Sequence, residues 1–96
     1  MKKLKVLFSN EVALEDDRKM RLDYLLTEDY MQSDVKDPYY GIRITKYLDD
    51  FEESEEVSGI SCSKKTVLSM IKKFSINVVT PIHLVELVDD LVTQGI

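Results

Sequence analysis

Histidine is the residue type best suited to chemistry near neutral pH, and His83 is the single histidine in the chain. It follows Thr80-Pro81, in which the threonine can cap a helix and the proline suits the first helical position. An imidazole beside a helix start could contact an anion or a metal, or move a proton. One histidine would have to share a metal with carboxylates, so we favour a structural role in which His83 hydrogen-bonds locally or packs beside the sheet. No metal site and no cofactor is predicted.

Cys62 is the single cysteine, and two lysines, Lys64 and Lys65, follow it after one intervening residue. Positive charge and a helix N-terminus favour the reactive thiolate, but no histidine lies nearby in sequence to act as its base. Free cysteines also pack as small apolar side chains. We therefore predict no catalytic cysteine. A lone thiol cannot form an internal disulfide, and it suits a reducing compartment.

Six of the eight residues from Asp49 to Glu56 are acidic. The ligand order of a calcium-binding EF-hand loop, with its central glycine, is absent. Acidic side chains are typical of an exposed edge strand, where like charges discourage pairing with another chain. Since no nucleophile and base, metal cluster or phosphate loop is found elsewhere, we predict no catalytic residues and a protein that is not an enzyme.

The overall charge narrows the class of partner. The net charge is −5, whereas a nucleic-acid-binding domain usually carries a basic stripe. We expect neither a nucleic-acid partner nor a membrane partner. Lys5, Asn10 and Glu11 interrupt the apolar N-terminal stretch, so no signal peptide is predicted, and no apolar run approaches the roughly 20 residues of a membrane span. The expected location is the cytoplasm.

Two periodicities divide the chain. Apolar residues alternate in the first part; for example, Leu4, Val6 and Phe8 alternate with Lys3, Lys5 and Leu7. This pattern predicts strands over about 3–9, 19–28, 39–47 and 51–57. A helical period follows and predicts helices over about 64–75 and 81–93. The predicted fold class is α+β: a single domain with an antiparallel four-stranded meander followed by two helices packed on one face (ββββαα).

Local signals place the boundaries between these elements. Turns are predicted at residues 15–18 and 49–50, and a loop at 31–38. Gly41 lies inside the third strand and indicates a bulge or a close neighbour. Ser63 is the predicted cap of the first helix, and Asn77 is expected to end that helix in the left-handed region.

Four short motifs resemble an uncharacterised family of small proteins from Clostridia-like Firmicutes. The motifs are Tyr40-Gly41-Ile42, Gly59-Ile60-Ser61, Asn77-x-Val79-Thr80-Pro81-x-His83-Leu84 and Val88-x-Asp90. The resemblance covers about residues 20–92, without the first strand and Cys62. It implies a bacterial cytoplasmic protein with no established activity, and it supplies no catalytic residues.

The residues of the third predicted strand indicate a binding face. If both helices cover one side of the sheet, the other side presents Tyr39, Arg43, Thr45 and Tyr47, and aromatic residues frequently anchor interfaces. The first helix is basic and the second acidic, which indicates either complementarity within the chain or two unlike surface patches. The placement of these charges against the helix dipoles favours contact with a partner. We therefore expect a non-catalytic protein-interaction or regulatory module that binds a protein partner or itself, through this face or an edge strand. The alternative is a small-molecule or ion sensor with a pocket near His83.

Overall fold

The computed structural model describes residues 2–30 and 38–94. In this part of the chain, four strands and two helices follow one another. The elements are β1 (Lys2–Ala13), β2 (Lys19–Asp29), β3 (Tyr39–Leu48), β4 (Phe51–Ser61), α1 (Lys64–Ile76), a 3₁₀ turn (Pro81–His83) and α2 (Leu84–Thr93). The strands form one antiparallel sheet in the order β1-β2-β3-β4, so β1 and β4 are its edges. This arrangement confirms the predicted α+β meander followed by two helices.

The core lies on one face of the sheet. Alternate residues of β2 and β3 point to this face, where they meet the apolar sides of both helices. The buried apolar residues are Leu22, Tyr24, Leu26, Ile42, Ile44, Val67, Met70, Ile71, Phe74, Val79, Leu84 and Val88. Both helices therefore cover the same face, as in the predicted ββββαα fold, and we call the opposite side the outward face.

The strands are longer than predicted, and one bulge changes the register of β1. The pairing shifts between Val6 and Phe8: Val6 lies opposite Leu25, whereas Phe8 lies opposite Tyr24. Because side chains alternate between faces, Leu4 and Val6 lie on the outward face and Phe8 lies on the helix face. Simple alternation had placed all three on one face. β1 extends to Ala13 and β4 to Ser61, beyond the predicted ends.

Gly41 lies where two backbones approach closely. A methyl group at its Cα would lie 2.3 Å from the Val57 carbonyl oxygen and 2.6 Å from the Thr27 hydroxyl. The β3–β4 pairing is also irregular between Tyr40 and Ile42. The predicted close neighbour and irregularity at this glycine are both present.

The helix starts follow the sequence signals more closely than the helix ends do. Ser63 caps α1, since its side-chain oxygen accepts a hydrogen bond of 3.3 Å from the Thr66 amide. Asn77 does not adopt the left-handed region; Val78 does, with φ 53°. Pro81 begins the 3₁₀ turn before α2, but Thr80 makes no side-chain capping bond.

The turns at residues 15–18 and 49–50 lie where they were predicted. Arg18 lies 2.7 Å from the Asp16 carboxylate and 3.1 Å from that of Asp49, so it links the two hairpin turns. Of the predicted loop over residues 31–38, residues 31–37 lie outside the described part of the chain.

Candidate interaction surfaces

Polar side chains on the outward face pair with one another across the strands. Arg43 lies 3.3 Å from Glu56, and Thr45 shares a hydrogen bond of 2.9 Å with Ser54. The Arg21 guanidinium lies 4.4 Å from the centre of the Tyr47 ring, a cation–π distance. Of the four residues predicted to form a binding face, Arg43, Thr45 and Tyr47 therefore contact other side chains of the sheet.

Tyr39 and Thr45 differ in their accessibility. The Tyr39 residue is 38% exposed, whereas Thr45 is only 4% exposed. Tyr39 lies opposite Asp29, and Asp29 lies opposite Lys2, so Tyr39 belongs to the end of the outward face at which β1 begins. Of the predicted face, Tyr39 can contact a partner without a rearrangement of the cross-strand pairs.

Glu56 is the centre of a charged cluster that spans the sheet. Its carboxylate accepts hydrogen bonds from Lys2, Arg43 and Ser58. Partial burial alone would raise the pKa of the Glu56 carboxyl, but these hydrogen bonds outweigh burial and hold the pKa below its usual value. The cluster connects the two edge strands, β1 and β4, across the outward face.

The edge strand β1 exposes apolar and basic side chains in alternation. Leu4 is 49% exposed and Val6 is 51% exposed, both on the outward face. Lys3 and Lys5 lie opposite Glu28 and Leu26 on the other face. In the described residues, β1 pairs with β2 alone, so one backbone edge of β1 faces no strand. Sequence reasoning did not select Leu4 and Val6, because their pattern is the same as that of a core strand.

The other edge strand has a different character. β4 carries four glutamates between Glu52 and Glu56. As predicted, this acidic segment occupies an edge of the sheet. Repulsion between acidic side chains disfavours the addition of another acidic strand at β4.

The two helices are separated by a groove with a partly apolar floor. One part has a volume of about 380 Å³, and its lining residues are Lys65, Thr66, Ser69, Met70, Lys73 and Leu91. The adjoining part has a volume of about 290 Å³ and shares Lys73 and Leu91; Phe74, Leu87 and Asp90 also line it. The α1 wall of the groove is basic, with Lys65 and Lys73, and the α2 wall carries the acidic Asp90.

His83 and Cys62 are both exposed. The Nδ1 atom of His83 lies 4.0 Å from the Glu86 carboxylate, one turn along the chain. A pocket of about 280 Å³ beside it is lined by Pro81, Ile82 and residues 53–55. A ligand site near His83 remains a prediction. Within the described ranges, no three histidine, cysteine, aspartate or glutamate side chains are grouped so that they could hold a metal ion.

The fold places this chain in the α+β class, as a four-stranded antiparallel meander whose two helices cover one face. The chain belongs to DUF6514, a family of unknown function, whose model matches residues 3–94. The match includes β1 and Cys62, which the resemblance from short motifs had left out. No curated protein matches the chain, and no solved structure does. None of the helices in the described part is long and apolar enough to cross a membrane.

Proposed function

We propose that this chain is a non-catalytic protein-interaction module that adds an extended, acidic segment of a partner protein to the edge of β1. The observation that carries the proposal is the exposure of Leu4 and Val6 on an edge strand whose outer backbone faces no strand in residues 2–30 and 38–94. An added strand would satisfy the backbone hydrogen-bonding groups of that edge. Addition of a strand to an open sheet edge is a recurrent mode of peptide recognition.

The side chains of β1 define the chemistry of this partner. Lys3 and Lys5 lie on one face of the sheet, and Leu4 and Val6 lie on the other. Cross-strand neighbours of opposite charge, and apolar neighbours, stabilise a sheet, whereas like charges destabilise it. A segment in which acidic and apolar residues alternate would place its acids beside the lysines and its apolar residues beside Leu4 and Val6.

The charges of the two edges favour β1 over β4 as the binding edge. β4 presents glutamates, so it repels the same acidic segment that β1 attracts. The lysines of β1 also disfavour pairing of β1 with a second β1, because they would lie close to one another. The proposed partner is therefore a different protein at this edge.

The cellular setting forms part of the proposal. We place the protein in the bacterial cytoplasm, and the resemblance to proteins of Clostridia-like Firmicutes supports this. The free, exposed thiol of Cys62 is consistent with a reducing compartment.

Fluorescence anisotropy with a labelled ten-residue peptide that alternates glutamate and valine tests the proposal. We expect the wild-type chain to bind this peptide. The Lys3→Glu/Lys5→Glu variant should bind about tenfold or more weakly, because like charges then face each other. The Leu4→Ser/Val6→Ser variant should also bind more weakly. Lys72→Glu/Lys73→Glu, a double charge reversal on the exposed side of α1, changes the net charge by the same amount. This variant is the matched control and should bind like the wild type.

A second peptide tests the backbone contact directly. The same sequence with N-methyl groups at alternate residues keeps its side chains but cannot donate the hydrogen bonds of an added strand. We expect its binding to be lost. Absence of binding by the parent peptide, or equal binding by the β1 variants and the wild type, would refute the proposal.

A further inference from the structure

The exposed sides of the two helices carry opposite charges. α1 contains Lys64, Lys65, Lys72 and Lys73 and no acidic residue, whereas α2 contains Glu86, Asp89 and Asp90 and no lysine or arginine. These residues are exposed. The helices lie on the same face of the sheet, so together they present a basic strip beside an acidic strip.

These charges do not neutralise each other within the chain. Among residues 2–30 and 38–94, no ion pair connects a lysine of α1 to an acid of α2; the contact of Glu86 is with His83. The groove keeps the strips apart, with Lys65 and Lys73 on one wall and Asp90 on the other. Neutralisation by the neighbouring helix therefore does not explain the segregation of charge.

Helix stability does not explain the segregation either. Acidic residues stabilise the first turn of a helix and basic residues the last turn, because of the helix dipole. The first turn of α1 has no acid and contains lysines, and the last turn of α2 has no basic residue. Lys73 in the last turn of α1 and Glu86 in the first turn of α2 follow this preference. Lys65 and Asp90 are placed against it, so a contact outside the chain is the better explanation for these two residues.

Apolar side chains lie among these charges. On α2, Val85 is 48% exposed and Val92 is 51% exposed; they are seven residues apart and lie on one side of the helix. This side is the flank of α2 away from the groove, because neither residue lines the groove and each is two residues, about 200° of helical rotation, from a residue that does. Leu87 and Leu91 are half-buried at the groove. The surface of the two helices therefore combines apolar area for burial with charges that select a partner.

We propose that a second copy of this chain covers the surface formed by α1 and α2, in a symmetric dimer whose two-fold axis runs along the groove. This axis places the basic α1 of one copy over the acidic α2 of the other, and the same contact forms a second time by symmetry. A two-fold axis across the groove would instead place α1 over α1 and α2 over α2, with like charges together. A partner must be acidic along one strip and basic along the other, and a second copy has both strips.

This dimer uses the exposed sides of α1 and α2, whereas the peptide adds to the backbone edge of β1. The two contacts therefore involve different residues. Sedimentation velocity over a range of protein concentrations measures the dimerisation directly. We expect the wild type to form a dimer that dissociates more readily as salt is added, because salt screens the exposed charges. A wild type that stays monomeric at high concentration in low salt would overturn the proposal.

A pair of charge-reversal variants tests the orientation of the dimer. Lys65→Glu/Lys73→Glu makes the basic wall acidic, and Asp89→Lys/Asp90→Lys makes the acidic helix basic. Each variant alone should dimerise about tenfold or more weakly than the wild type, because like charges meet at both symmetric contacts. An equimolar mixture should recover dimerisation as a heterodimer, because each acidic strip of one variant then faces a basic strip of the other.

The control measurements separate loss of the dimer from loss of the fold. All four substituted residues are exposed, and circular dichroism should show both variants folded. Failure of the mixture to form the heterodimer, or dimers of the single variants as tight as the wild type, would overturn the proposed arrangement. Peptide binding at β1 should stay unchanged in both variants, so the two proposals fail or succeed separately.

Discussion

The most specific stability prediction concerns Tyr24, because its hydroxyl is buried and has a defined hydrogen-bond partner. The residue is fully buried, and the hydroxyl donates a hydrogen bond of 2.9 Å to the Val79 carbonyl oxygen. This bond connects the centre of the sheet to the segment between the two helices. Tyr24→Phe removes the donor and leaves the carbonyl without it. We expect the variant to lose about 1–2 kcal/mol of the free energy of unfolding at neutral pH.

Ionisation of the Tyr24 hydroxyl should lower the free energy of unfolding at high pH. Burial raises the pKa of Tyr24 to about 12, against an ordinary value of 10.0. A folded-state pKa above the unfolded one contributes stability that is fully present below pH 10.0 and is lost as the pH rises towards 12. Near pH 11 the unfolded tyrosine is mostly ionised and the folded one is not, so the loss at that pH is about 1.4 kcal/mol.

The two effects have opposite signs in the comparison of wild type with Tyr24→Phe. At neutral pH the wild type is more stable, but the variant lacks the group whose ionisation destabilises the fold. The two free energies of unfolding should therefore converge near pH 11. Titration of other groups affects both proteins, so it largely cancels in the difference.

Urea unfolding followed by circular dichroism, at intervals from pH 7 to 11.5, measures this difference. Tyr39→Phe is the control, because that residue is 38% exposed and its substitution should change stability little at neutral pH. A difference between wild type and Tyr24→Phe that stays constant across this range would refute the inferred burial of the hydroxyl. A difference near zero at neutral pH would refute the contribution of the bond to Val79.

Four further substitutions test the packing of the sheet and its charged cluster, each by the midpoint of urea unfolding. Gly41→Ala should destabilise the fold by about 3 kcal/mol, because its new methyl group would meet the Val57 carbonyl oxygen at 2.3 Å. Gly59→Ala is the comparison: with φ 64° at this position, it should cost about 1–2 kcal/mol. A loss of stability for Gly59→Ala that equals or exceeds the loss for Gly41→Ala would contradict the close contact at Gly41. Thr27→Val should stabilise the fold by about 1 kcal/mol, because the buried Thr27 hydroxyl has no hydrogen-bond partner among the described residues. If the variant is instead less stable than the wild type, the hydroxyl has a partner. Glu56→Gln should have a lower free energy of unfolding than the wild type at pH 7, because the lowered pKa of the Glu56 carboxyl adds stability while the carboxylate is ionised. This difference should disappear as the pH falls below about 4.5 and the carboxylate is protonated. A difference that persists in acid would contradict the charged cluster.

Much of the fold was predictable because its signals are local. Alternating apolar residues in β2 and β3 correspond to the core face, and the helical spacing of α1 and α2 corresponds to their buried sides. Ser63 caps α1 through a contact with a residue three positions along the chain. Periodicity and capping depend on neighbours within a few residues, so a sequence displays them directly.

The interaction surfaces were less predictable, because they depend on contacts between distant residues. The predicted binding face included Thr45, but its pairing with Ser54 and its burial depend on the position of β4. Leu4 and Val6 have the pattern of core residues. Their exposure results from the bulge in β1 and from its position at the edge of the sheet.

The sequence alone determined the class of the fold, the order of its elements and the opposite charges of the two helices. The tertiary structure decided which apolar residues remain exposed and whether the helix charges pair within the chain. The link from Lys2 to Glu56 spans 54 residues, and the groove between α1 and α2 depends on how both helices pack on the sheet. Such contacts depend on strand order, register and helix placement, which only the folded chain establishes, because alternation and helical spacing specify how each element is built and not which element lies beside it.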